Sequence, residues 1–257
     1  MERLPPGLRR YLALLHLTCL GLMAYQVMSA LRHEPPAHFG VGAAIALAAY
    51  IALSYLAEHT TLQIKGAAWQ NLATTAHVGS LLLFPPPLPM LIAFIAALVS
   101  QARHRGSAPA QRAFNVTHPT LSVGLAGVCC SLFWRPDHLL QLGFTAALPG
   151  LILVIALFYL LDVGKMLGLL VLLGKGSPWK IWRQAYRHTT LPELAAGTIG
   201  ILGAIVWSYN QFAVVLLLMP LVALRSAFRA NAQAEERARI LRQRGSQLET
   251  VLALGKH

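Results

Sequence analysis

Charged residues are scarce in this chain, and acidic residues most of all. Only 9 of the 257 residues are Asp or Glu, and Lys and Arg add 21, so 12% of the chain is charged while 56% is hydrophobic. A soluble globular domain carries about 25% charged residues. The composition therefore excludes an ordinary soluble domain and predicts an integral membrane protein.

Motifs for soluble catalysis and metal binding are also missing. Cys19, Cys129 and Cys130 lie in apolar runs without CxxC or Cys/His spacing, which argues against a zinc site and a disulfide framework. The sequence has no Walker loop, HExxH or GxSxG motif, so we predict no catalytic domain in this chain. No cofactor is predicted either, because His16, His77 and His118 lack the paired spacing of haem or metal ligands.

The chain contains instead about eight apolar runs, most of them close to the ~20 residues that cross a bilayer. We predict an all-α fold, a polytopic transmembrane helix bundle over residues 1–225. Residues 85–87, all proline, predict a tight helical hairpin between the third and fourth runs. Ala196, Gly200 and Ala204 form a small-residue packing face on the seventh. The predicted spans are 11–30, 39–57, 69–84, 88–101, 115–134, 150–173, 191–207 and 212–225.

Basic residues between the runs predict the orientation. With the N-terminus inside, 18 of the 21 Lys and Arg lie on the cytoplasmic side, and the positive-inside rule then places both termini in the cytoplasm. We expect a bacterial inner-membrane protein whose net charge of +12 reflects topology and not nucleic-acid binding. The first run is too long for a signal peptide and lacks an A-x-A site, so we predict an uncleaved span.

Two amphipathic segments are expected on the cytoplasmic side. Aromatic and basic residues alternate over residues 177–188, which predicts a helix lying on the inner leaflet. Residues 226–257 repeat apolar and small residues in steps of three and four, which predicts a helical linker with a heptad seam and a parallel homodimer. A single solvated amphipathic helix is the alternative. The signal-relay seam comprises Ala227, Asn231, Ala234, Ala238, Leu241, Leu248 and Leu252.

Ionisable and polar groups inside spans are the candidate functional residues, because such groups usually face the bundle interior or a wet cavity. Asp162 and Lys165 share one face of the sixth span, either as a neutralising pair with Lys165 snorkelling or as a ligand- or proton-responsive site. Asn115, His118 and Ser122 form a polar stripe on the fifth span, where interhelical packing bonds are the alternative. The candidates for ligand or proton sensing are Asp162, Lys165, His77, Asn115 and His118.

Several stretches together resemble the multi-helix membrane input domain that precedes GGDEF, HD-GYP, GAF or histidine kinase modules in many bacteria. They are residues 73–100, RAFNVTHPTLSVGLAG at 112–127, FYLLD at 158–162, GKGSPWKIWRQ and LPELAAGTIGILGAI, and the resemblance covers roughly residues 39–250. His118 and Asp162 stand where that family tends to have amides. This difference implies a pH-responsive member.

The resemblance implies a sensory module that relays a signal through its dimeric C-terminal helix to an output domain or a partner. The chain is then either a fragment cut at the linker, which we favour, or a free-standing module. A small-molecule transporter or substrate-capture subunit, similar to the vitamin-binding subunits of energy-coupling-factor importers, is the alternative function. An intramembrane enzyme would need His77, His118 and Asp162 within about 3 Å of one substrate atom.

Overall fold

The computed structural model describes residues 5–33, 41–58, 62–64, 68–70, 72–103, 106–133, 136–142, 144–187 and 189–210, with single positions 222, 223, 226, 230 and 233. The regular secondary structure of this part is helical except for one small hairpin. The helices are α1 (Pro6–His33), α2 (Val41–Glu58), α3 (Ala73–Leu83), α4 (Leu88–Arg103), α5 (Pro109–Ser131), α6 (Phe144–Leu172), α7 (Pro178–Ile181) and α8 (Thr190–Tyr209). The strands β1 (Leu62–Ile64) and β2 (Ala68–Gln70) pair antiparallel, a 3-10 helix covers Pro136–Gln141, and α7 continues into a π-helical turn, Trp182–Tyr186.

Three of these helices are long and apolar enough to cross a membrane, over Pro6–Arg32, Thr145–Leu172 and Thr190–Tyr209. Each presents large apolar side chains outward: Leu17, Leu160 and Leu202 are 68%, 62% and 51% exposed. Apolar side chains on the outside of a bundle are expected to contact lipid tails and not water. The prediction of a helical membrane protein is confirmed to this extent.

The third predicted span starts too early. Trp69 lies in β2, paired with Gln63, and the helix begins only at Ala73. Residues 68–70 use their backbone groups in the hairpin ladder, so they are not available for helical hydrogen bonds. Helix α3 has 11 residues, about 16 Å at ~1.5 Å per residue, and is shorter than the ~30 Å hydrocarbon core.

Helix α3 lies at the centre of the described bundle and not on its lipid-facing side. All residues from Ala73 to Leu82 are buried, and α2, α4, α8 and the 3-10 helix surround them. The small-residue face predicted on α8 is confirmed, because Ala196, Gly200 and Ala204 are buried. A Cβ added at Gly200 would lie 2.5 Å from the Thr75 carbonyl oxygen, so glycine lets the two backbones touch.

The predicted proline hairpin is confirmed. Helix α3 ends at Leu83, α4 begins at Leu88, and the turn between them contains a cis bond between Pro86 and Pro87. The Leu88 N–H donates to the Pro85 carbonyl oxygen at 3.0 Å. Prolines at the turn cannot extend the helix, so α3 and α4 fold back on each other.

The last predicted span and the predicted linker fall almost wholly outside the described residues. Only single positions between 222 and 233 are described there, as helical. The seam residues Ala227, Asn231, Ala234, Ala238, Leu241, Leu248 and Leu252 all lie outside the described part of the chain.

Candidate functional site

A polar cluster joins α5 to α6. Asp162 and Lys165 are one helical turn apart on α6, and His118 and Ser122 are one turn apart on α5. Residues at these spacings project from the same side of a helix, and here the two polar sides meet. The cluster contains three of the five predicted candidates, His118, Asp162 and Lys165, together with Ser122.

Lys165 is directed across to α5. Its Nζ donates to the His118 carbonyl oxygen at 2.5 Å and also to Ser122 Oγ. The ammonium group therefore has protein partners inside the bundle and does not extend along its own helix toward the membrane surface. Charge-assisted bonds of this kind are stronger than neutral ones, so Lys165 is held in one position.

Asp162 is bound to the same Ser122 hydroxyl through its carboxylate. Ser122 Oγ lies 2.8 Å from Asp162 Oδ1 and 3.0 Å from the His118 carbonyl oxygen, so its single proton can go to either oxygen. Because Lys165 donates to this hydroxyl, Ser122 can pass hydrogen bonding from the ammonium group to the carboxylate. Asp162 and Lys165 are thus linked through Ser122 of the neighbouring helix.

His118 contacts Asp162 through both ring nitrogens. Nε2 lies 3.1 Å from the Asp162 carbonyl oxygen and Nδ1 lies 3.4 Å from Asp162 Oδ1. A carbonyl oxygen only accepts, so this arrangement requires the proton on Nε2. Nδ1 is then the nitrogen without a proton, and it faces the carboxylate.

Helix α1 closes one side of the cluster. The Tyr11 hydroxyl donates to the Lys165 carbonyl oxygen at 2.6 Å. A Cβ at Gly168 would lie 2.9 Å from that hydroxyl, so glycine at this position makes room for the tyrosine. Apolar side chains of α1, α5 and α6 surround these contacts, among them Leu15, Phe114 and Met166. The network therefore connects three helices within an apolar environment.

The cluster is open on the Asp162 side. The Asp162 side chain is 33% exposed, whereas the His118 side chain is 12% exposed. A small polar molecule can reach the carboxylate from outside the described bundle, while the histidine is more deeply buried. The arrangement can change its charge or its hydrogen bonding without an internal cavity.

Tyr159, one turn before Asp162, connects α6 to the segment that follows it. Trp182 Nε1 lies 3.4 Å from the Tyr159 hydroxyl, and that hydroxyl lies 2.6 Å from Thr190 Oγ1. Thr190 Oγ1 in turn lies 3.1 Å from the Tyr186 carbonyl oxygen. This chain of hydrogen bonds ties α6, the π-helical turn and the start of α8 together.

The structure is helical from Pro178 to Tyr186, within the predicted interfacial segment 177–188. Burial and then the nearby carboxylate of Asp162 raise the pKa of Tyr186 to about 12. Its hydroxyl is therefore neutral at pH 7 and adds no negative charge beside the cluster.

The two remaining candidates have their own partners. His77 on α3 has Nε2 3.1 Å from Ser54 Oγ of α2, and Asn115 on α5 donates to Gln101 Oε1 of α4 at 3.1 Å. His16 Nδ1 lies 2.5 Å from the Leu12 carbonyl oxygen of its own helix. Within the described residues, no group of three or more His, Cys, Asp or Glu side chains is placed to hold a metal ion.

Sequence reasoning missed Tyr11, Tyr159 and the short Thr74–Glu193 hydrogen bond between α3 and α8, 2.5 Å. Tyr159 could have been found, because it precedes Asp162 by one turn on the same helix face. Tyr11 gave no such signal, since its partner lies 154 positions away. No family model, no curated protein and no solved structure matches this chain.

Proposed function

We propose that this protein is a membrane-embedded input module of a bacterial signalling system, located in the inner membrane. One observation carries the proposal: the charged cluster of Asp162, Lys165, His118 and Ser122 joins α5 to α6 one turn away from Tyr159, which connects α6 to the interfacial segment. Placing charged groups inside a bundle costs free energy. Here they lie where a change in their charge or hydrogen bonding can reach the interfacial segment.

The proposed mechanism is a shift in packing between α5 and α6. A second proton on His118 or a polar ligand on the exposed carboxylate would each change the bonds that Ser122 and Lys165 make. A proton or ligand shifts a bundle between two states only if it binds one state more tightly than the other. The altered α6 would then move Tyr159 and the segment bonded to it.

The finer parts of the proposal extend it along the chain. We infer about eight spans with both termini in the cytoplasm, on the strength of the positive-inside bias. We further infer that residues 226–257 dimerise through the seam and pass the movement to an output domain or a partner. The sequence pattern supports both inferences, together with the three helices long enough to span the bilayer.

Site-directed crosslinking tests the proposal. The chain, with Cys19, Cys129 and Cys130 replaced by alanine, is placed in nanodiscs with Ala234→Cys on the seam. Control protein carries Gln233→Cys, one residue off the seam. We expect a bis-maleimide to join Ala234→Cys chains into dimers several times faster than Gln233→Cys chains, because only seam positions face the partner helix.

Adding Asp162→Asn to the Ala234→Cys protein tests the link to the cluster. We expect the rate of crosslinking to change by about fivefold or more, the lower end of typical allosteric couplings. Ser131→Ala, an exposed position on α5, is the matched control and should leave the rate unchanged. Equal crosslinking at positions 233 and 234 would contradict the dimeric relay and favour a transporter or capture subunit. If the dimers form but Asp162→Asn leaves the crosslinking unchanged, the cluster is not part of the signal path.

A further inference from the structure

The segment after α6 carries cations and an aromatic ring on one exposed face. Trp179, Lys180, Arg183, Gln184 and Arg187 are exposed, and Trp179 is 67% exposed. Lys175 in the preceding turn is exposed as well. The sequence has no Asp or Glu between Asp162 and Glu193, so no carboxylate within this stretch neutralises the face.

The opposite face holds the segment on the bundle. Ile181 and Ala185 are buried, and Trp182 contributes its indole N–H to the bond with Tyr159 at 3.4 Å. The Arg187 N–H donates to the Trp182 carbonyl oxygen at 2.8 Å, which closes the π-helical turn. The exposed side chains therefore project from a backbone that is fixed to α6 and α8.

The aromatic part of the face is preorganised. The rings of Trp179 and Trp182 are stacked with centroids 5.0 Å apart and planes at 19°. Earlier in the chain, α6 ends at Leu172 and Leu173 follows it; these leucines are 40% and 45% exposed. Exposed leucines, a tryptophan pair and cations are the three kinds of group that proteins place at the acyl chains, the interface and the headgroups of a membrane.

We propose that this face, Trp179 with Lys180, Arg183 and Arg187, binds the headgroup of an anionic phospholipid in the cytoplasmic leaflet. The cations pair with the lipid phosphate and its net negative charge, while Trp179 lies at the level of the glycerol backbone. The site rests on the orientation inferred above, but it does not depend on the signalling relay. An acidic protein would satisfy the cations, but the exposed leucines and the exposed indole fit acyl chains.

Tryptophan quenching by brominated lipid tests the proposal on the full chain in nanodiscs. Phosphatidylcholine discs contain the same small fraction of acyl-brominated phosphatidylglycerol or acyl-brominated phosphatidylcholine. The Trp179 signal is the difference between the unchanged protein and Trp179→Phe; Trp207→Phe gives the matched signal from α8. We expect brominated phosphatidylglycerol to quench Trp179 more strongly than brominated phosphatidylcholine, and Trp207 to be quenched equally by both.

Charge removal localises the site. We expect Arg183→Gln to lower the preference for phosphatidylglycerol about fivefold, the effect of one basic residue near an anionic surface, and Lys180→Gln/Arg183→Gln to abolish it. Arg103→Gln is the matched control: it removes an exposed cation at the end of α4 and should leave the preference intact. Lys180 and Arg183 are exposed, so their replacement does not put folding at risk, and Arg103→Gln loses only a contact with the Tyr55 ring, 5.2 Å away.

Three results would overturn the proposal. Equal quenching of Trp179 by the two brominated lipids would indicate that the face binds an acidic protein partner and not an anionic lipid. A phosphatidylglycerol preference that survives Lys180→Gln/Arg183→Gln would place the lipid elsewhere. Loss of the preference on adding inorganic phosphate, but not sodium chloride of equal ionic strength, would mean that the face takes free phosphate. None of these results depends on crosslinking of the tail, so the two proposals can fail separately.

Discussion

Ser122 of α5 contacts both charged residues of the cluster on α6, Asp162 and Lys165. Its hydroxyl accepts from Lys165 Nζ and lies within hydrogen-bond distance of Asp162 Oδ1. Alanine at this position would leave a lysine and an aspartate without their common partner. Removing one partner from a buried polar group costs more than the bond itself contributes.

We therefore predict that Ser122→Ala lowers the free energy of unfolding by about 1–2 kcal/mol. The measurement is denaturation of the purified protein in mixed micelles by increasing SDS, followed by circular dichroism. Ser131→Ala is the control, because Ser131 is exposed and its hydroxyl donates only to Val128 of its own helix at 2.7 Å. Equal stability of the two variants would show that Ser122 does not hold the cluster together.

Between elements, two contacts can be tested by single substitutions: the crossing of α3 with α8 and the attachment of the interfacial segment to α6. The first depends on Gly200, where a Cβ would lie 2.5 Å from a backbone oxygen of α3. Backbone atoms cannot move aside as a flexible side chain can, so the helices would have to separate.

We predict that Gly200→Ala lowers the free energy of unfolding by about 1–3 kcal/mol, measured by the same denaturation. Gly164→Ala provides the control on α6, because nothing lies within 4 Å of the added Cβ. Alanine favours a helix over glycine by up to ~1 kcal/mol, so Gly164→Ala should be neutral or stabilising. A stabilising Gly200→Ala variant would contradict the close crossing.

The second contact is the hydrogen-bond chain through Tyr159. We predict that Tyr159→Phe releases the interfacial segment, since Trp182 Nε1 and Thr190 Oγ1 both lose a partner, at a cost of about 1 kcal/mol. Hydrogen exchange followed by mass spectrometry should show faster exchange over residues 178–186. Tyr25→Phe is the control because Tyr25 is 65% exposed; unchanged exchange in both variants would mean that the apolar face alone holds the segment.

Elements with strong apolar runs were predictable from the sequence, and their partners were not. Hydropathy over ~20 residues locates α1, α6 and α8, and three consecutive prolines locate the turn between α3 and α4. Hydropathy cannot distinguish a strand from a helix at Trp69, because a short apolar run fits either. The i, i+3 spacing places Asp162 and Lys165 on one face, but which helix meets that face depends on contacts between distant parts of the chain.

For the molecule as a whole, helix length and flanking charge predict which helices cross the bilayer and in which direction. Helix α6 has 29 residues, about 43 Å, so it is long enough for its two ends to lie on opposite sides of a ~30 Å core. Basic residues follow its C-terminal end at Lys175, Lys180, Arg183 and Arg187, which predicts that this end is cytoplasmic. Helix α5 has 23 residues, a length that would allow it to cross in the opposite direction, but it is not one of the three helices that are also apolar enough.

We predict that, in intact cells and without native cysteines, a membrane-impermeant maleimide labels Gln141→Cys directly and labels Lys175→Cys only after permeabilisation. Gly106→Cys, in the exposed turn between α4 and α5, should behave like Lys175→Cys, because α5 and α6 then form a pair of full crossings. Gly106→Cys labelling from outside would mean that α5 does not cross, and the count of eight spans would be wrong. Lys175→Cys labelling from outside would invert the orientation, and the interfacial segment would then face the outer leaflet.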